Sequence, residues 1–175
     1  MCVAAPVTGP VSFPDNYPDE WFYYVANSAP LELSDATCDA EPGSIMVESA
    51  AEAAFLGPIA PNEGITFGRL RIVAHGGLCA NTEYMLTHPY GRIAIQTNEN
   101  GDIKPNMGTT DIGCATLPCD YAAALTSPVL ESFLEQTVRP GGWLGDPLQP
   151  STVTGSPFPD PFTGQPTNHF YVQRW

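Results

Sequence analysis

A chain of 175 residues fits one ordinary domain and can bury its own core without help from metals or disulfides. Nineteen acidic residues against six basic ones give a net charge of −13, which repels a phosphate backbone and an anionic membrane surface, so nucleic-acid partners are excluded. Nineteen Pro and 16 Gly, with charged residues at only 14%, exclude long helices and describe a β-protein of short strands and shaped loops, with no apolar run near the roughly 20 residues of a membrane span.

Residues 1–20, rich in Pro and acids, read as an extended N-terminal arm, and residues 21–175 as a single β-sandwich domain. Trp21-Phe-Tyr-Tyr-Val25 is a dense aromatic strand, and Leu31-Glu-Leu33 a short alternating one. Residues 44–55 predict a helix, with Ser44 as N-cap, alanines inside and Gly57-Pro58 as the stop. Residues 65–74 alternate, placing Arg69 and Arg71 on one face of a strand. Residues 83–88, a turn at Pro89-Tyr90-Gly91, and residues 92–97 form a hairpin. The tight turn ending in Asn100-Gly101 leads on to residues 102–104, giving an antiparallel meander of three or four strands. Residues 120–125 and 129–138 predict two short helices, residues 139–167 a Pro/Gly-rich stretch with Val153 in a strand, and residues 169–175 a final strand. The fold class expected is mainly β, an antiparallel sandwich with short helices and long loops.

Five cysteines point to an oxidising compartment. Four residues including a proline separate Cys114 from Cys119, a spacing that suits a small disulfide-closed loop. Cys2 with Cys38 is the preferred second pair, leaving Cys79 free, and Cys38 with Cys79 is the close competitor. A zinc site wants more short-spaced ligands than this chain offers. The N-terminus Met1-Cys-Val-Ala-Ala-Pro6 has neither the basic nor the apolar region of a signal peptide. The expectation is an extracellular or cell-surface protein whose leader is absent from this sequence.

Four short blocks stand out: Phe67-Gly-Arg-Leu-Arg-Ile72, Tyr84-Met-Leu-Thr-His-Pro-Tyr-Gly91, Asp111-Ile-Gly-Cys114 and Val153-Thr-Gly-Ser-Pro157. With them the chain from Trp21 onward resembles a group of uncharacterised bacterial secreted and surface proteins. The resemblance implies a secreted β-sandwich module and brings no catalytic residues with it. The meander is also similar to immunoglobulin-like and prealbumin-like surface domains, a likeness of fold that does not specify a ligand.

The candidate binding residues are His88 and Tyr90, on the shaped turn, and Trp21, Tyr23 and Trp143, whose rings suit stacking on sugars. Each has a plainer reading as turn or core packing. Acidic loops at residues 35–41 and 98–102 offer hard oxygens of the kind calcium takes, without the spacing of a known calcium loop. A hydrolase built on Ser156, His88 or His169 and Asp111 lacks the nucleophile elbow, and Pro157 removes a backbone donor. No catalytic residue is assigned. The expected function is a non-enzymatic structural or adhesive module, joined to neighbours through edge strands or the arm. The alternatives are a carbohydrate-binding module, with or without calcium, and then a hydrolase with an unrecognised site. The expected partners are accordingly another protein, a second copy included, or a glycan.

Overall fold

The computed structural model describes residues 9–125, 134–136, 153–155, 157–160 and 162–175. The fold is mainly β, with antiparallel sheets and two short helices. In chain order the strands are β1 (Glu20–Asn27), β2 (Leu31–Leu33), β3 (Gly43–Phe55), β4 (Gly64–His75), β5 (Glu83–His88) and β6 (Gly91–Gln96). Helix α1 (Pro105–Gly108) precedes β7 (Thr109–Cys114), and helix α2 (Tyr121–Leu125) follows it. The remaining strands are β8 (Leu134–Gln136), β9 (Val153–Gly155), β10 (Phe158–Pro159), β11 (Pro166–Thr167) and β12 (Tyr171–Arg174).

The largest sheet runs β1-β3-β4-β7, with β2 also pairing β3. A three-stranded sheet runs β12-β5-β6, and β8–β9 and β10–β11 form two-stranded ribbons. The chain divides into two compact units. The first comprises Met1–Ala26, Ser49–Arg69 and Asp111–Thr154, and the second Asn27–Glu48, Leu70–Thr110 and Gly155–Trp175. The core of the second unit gathers Ile45, Leu70, Ile72, Ala74, Leu78, Tyr84, Leu86, Ile95 and Ile103. In the first, Ala51 and Ala124 are buried with Tyr23, Tyr24 and Cys114 against them.

The hairpin β5–β6 forms as expected, and its register sets His88 opposite Gly91 across the turn and Glu83 opposite Gln96. Three expectations are corrected. The predicted helix at 44–55 is strand β3. Residues 49–53 are all buried, which an amphipathic helix of 3.6-residue period does not do and a strand covered on both faces does. The meander is not continuous: β4 and β5 lie in different sheets, and after the Asn98–Gly101 turn the chain returns to β4 through a bridge between Ile103 and Ala74. The new neighbour of β5 is the C-terminal strand, with Tyr171 opposite Thr87 and Arg174 opposite Tyr84. Of the predicted helix at 129–138, residues 134–136 form β8, and the rest lies outside the described residues. Residues 12–16 form a turn, with the Asn16 amide donating to the Ser12 carbonyl at 3.1 Å.

Candidate functional site

The first unit holds an aromatic pocket of about 350 Å³, a size within the usual range for small-ligand sites. Three segments wall it. The turn at residues 12–16 is closed by the Ser12 amide donating to Asn16 Oδ1 at 2.8 Å and the Asn16 side-chain amide donating to the Pro10 carbonyl at 2.9 Å. That turn stacks Phe13 on Tyr17 with centroids 4.8 Å apart. Trp21, at the start of β1, meets Tyr17 edge-on at 5.4 Å. Phe55, ending β3, packs on Tyr17 and Trp21, each at 5.8 Å.

The second wall is the loop before β4, with Ala60, Pro61 and Asn62. Asn62 holds a left-handed φ of 67°, which asparagine tolerates better than most residues. The third is the short segment Pro118, Cys119 and Tyr121, tied down by the Cys114–Cys119 disulfide with Cα atoms 5.7 Å apart. Tyr121 opens α2 and donates its hydroxyl to the Ile65 carbonyl at 3.3 Å, and burial raises its pKa. Gly64 makes room for that hydroxyl, which occupies the place a Cβ would take. The lining carries no charged side chain although the chain as a whole has a charge of −13. Such a surface suits an uncharged ligand with ring faces or CH groups to lay on aromatics.

No protein-family model, curated protein or solved structure matches the chain.

Of the sequence candidates, only Trp21 lines this pocket, and at 8% exposure it acts as a wall rather than an open shelf. Tyr23 packs instead on the cluster around Ala51 and Ala124. Trp143 lies outside the described residues. His88 and Tyr90 belong to the second unit, at the β5–β6 turn. His88 is 4% exposed, its Nδ1 accepts the Tyr90 amide at 3.2 Å, and burial lowers its pKa. Phe13, Tyr17, Phe55 and Tyr121 were missed. Only Phe13 and Tyr17 carry a local signal, each preceding a proline, and the walls are far apart in sequence.

Several acidic residues of the described chain brace the fold. Arg69 forks onto Asp111 through Nε at 2.7 Å and Nη2 at 2.8 Å, and reaches Glu52 through Nη1 at 2.8 Å. Arg71 joins Glu48 at 2.9 Å and the Thr109 hydroxyl at 3.1 Å. Asp35 Oδ1 accepts the Thr37 amide at 2.9 Å and hydroxyl at 2.6 Å, while Oδ2 accepts the Tyr84 hydroxyl. Those bonds, Thr37 first, hold the Asp35 carboxyl below its usual range. Asn98 closes its turn by accepting the Asn100 and Asp102 amides at 2.9 and 2.8 Å, and Asp102 in turn accepts the Gly76 amide at 2.9 Å. In both acidic loops these bonds fix the shape of the loop.

The second disulfide joins Cys38 to Cys79, with Cα atoms 5.8 Å apart, so Cys79 is not free and Cys38 is not paired with Cys2. Cys2 lies outside the described residues. The two sulfurs and the Asp35 carboxylate lie within 4.8 Å of one another, yet the sulfurs are spent on each other and are not thiolate ligands. For the hydrolase reading, Ser156 lies outside the described residues and Asp111 is held bidentately by Arg69.

Proposed function

We propose that the protein is a non-enzymatic extracellular module, structural or adhesive, acting as one unit of a larger surface assembly. The observation that carries this reading is the use made of the ionisable groups. Glu48, Glu52 and Asp111 brace neighbouring strands through Arg69 and Arg71. Asp35, Asp102 and Asp160 close turns, and two disulfides staple the loops. Disulfides persist outside a reducing cytoplasm, and among the described residues no helix is long and apolar enough to cross a membrane. A sandwich of immunoglobulin-like or prealbumin-like type is the architecture proposed for it. Intact mass before and after reduction, on protein recovered from its native host, tests the compartment. Both bridges are expected intact in a surface or secreted fraction, and recovery of reduced protein from the cytosol overturns the reading.

A second reading, carbohydrate binding, is favoured by the uncharged aromatic pocket. Titration with neutral oligosaccharides at millimolar concentration should shift the amide resonances of Asn62, Cys119 and Tyr121, and Tyr121→Ala should abolish the shift. Silence of those amides across cello-, manno- and galacto-oligosaccharides removes this reading.

A further inference from the structure

A sheet edge carries unpaired amides and carbonyls, and proteins usually blunt it with charge, proline, a bulge, brevity or a cover. Most edges here are blunted. Strand β2 has three residues including Glu32, and β10 and β11 have two each, with Pro159 and Pro166. Strand β6 carries Arg92 and has α1 beside it, and β12 carries Arg174. Strand β7 is interrupted by Asp111 and by Gly113 at a φ of 115°.

Strand β1 carries fewer of these devices among the described residues, its one charge being Glu20 at its first position. It is eight residues long, ends the largest sheet, and pairs only with β3 among the described residues. After Glu20 it contains no charge, proline, glycine or positive φ, and Val25 is 43% exposed. We infer that the outer edge of β1 is a pairing surface for a second copy of this chain, joined antiparallel about a twofold axis. The inference deepens the assembly reading above and rests on it.

Self-pairing is favoured by the side chains of β1 and by closure. A twofold axis normal to the sheet keeps like faces together, so some residue of β1 stands opposite itself. With Tyr23 at the centre, Trp21 meets Val25 and Phe22 meets Tyr24, which are favourable aromatic and aromatic–aliphatic cross-strand pairs. Glu20 then stands opposite Ala26, so the two carboxylates lie at opposite ends of the joint. A parallel joint would set them side by side. One isologous contact consumes both open edges and stops at a dimer. Each copy carries a charge of −13, so raising ionic strength should strengthen the pairing rather than weaken it.

Sedimentation velocity of the full chain over a hundredfold concentration range, at low and high salt, tests this. The expected result is a monomer–dimer equilibrium tightening with salt. Val25→Lys should weaken it about tenfold or more, whereas Leu31→Lys, at a residue 56% exposed on β2, should leave it unchanged. Circular dichroism of both variants confirms that they fold. Wild-type monomer under every condition overturns the inference. A dimer indifferent to Val25→Lys also overturns it, while leaving assembly through another surface standing. The wider reading fails separately, on the compartment measurement.

Discussion

His88 and Asp160 respond to acid through opposite chemistry with the same sign. Burial lowers the folded-state pKa of His88 below its ordinary 6.5, so the unfolded chain takes up its proton first as pH falls. The stabilisation is therefore complete above about pH 6.5 and is lost as pH falls through the lowered folded value. For Asp160, the Tyr171 hydroxyl first, then the Thr163 amide, lower the carboxyl from 3.8 to about 2. Its contribution is present above about pH 4 and disappears as pH falls toward 2. Denaturant melts from pH 7 to 2 should lose stability in these two windows. Tyr171→Phe should raise the Asp160 carboxyl in an NMR titration and move the lower window upward, and an unchanged Asp160 titration would sink that assignment. Glu52 is the most exacting of the acids, 1% exposed and bound to Arg69. Glu52→Gln should cost about 1–3 kcal/mol. Asp111→Asn, whose side chain is 32% exposed, should cost less than about 1 kcal/mol in the same urea titrations.

At the scale of elements, the hairpin β5–β6 was legible because its alternation and its Pro-Tyr-Gly turn agree with each other. Strand β3 was not, because Ala50, Ala51, Ala53 and Ala54 favour a helix locally and the neighbours that overrule them lie elsewhere in the sequence. The spacing of Glu48 and Glu52 is also ambiguous, since four residues return to one face in a helix and in a strand alike. Only their partners Arg71 and Arg69 on β4 settle which it is. The pairing of β12 with β5 is equally invisible, as nothing in either strand names its neighbour. A second consequence follows at the entry to β3. A side chain on Gly43 would land on the Gly76 backbone, which cannot yield as a side-chain tip can. Gly43→Ala should therefore lower the melting temperature by several degrees, whereas Gly57→Ala, in open space, should leave it nearly unchanged.

Across the whole molecule the two bridges differ in reach. Cys38–Cys79 spans 41 residues and Cys114–Cys119 only five. Chain-entropy arguments assign about 4 kcal/mol to the first and about 2 kcal/mol to the second. Paired serine substitutions, compared by chemical denaturation, should follow that order, and equal losses would argue that strain or residual structure governs instead. The spacing of Cys114 and Cys119 made the short bridge readable, whereas the long one depends on folding that brings residue 38 to residue 79. The aromatic pocket belongs with the long bridge, because its walls come from residues 13–21, 55–62 and 118–121.

The backbone passes between the two compact units at residues 26–27, 48–49, 69–70, 110–111 and 154–155, so each unit is a mosaic of three separate stretches. No single cut in the gene releases either one whole. Recombination, exon shuffling or tandem duplication can therefore transmit this architecture only entire, and fragments screened for expression should fail together rather than reveal an autonomous half.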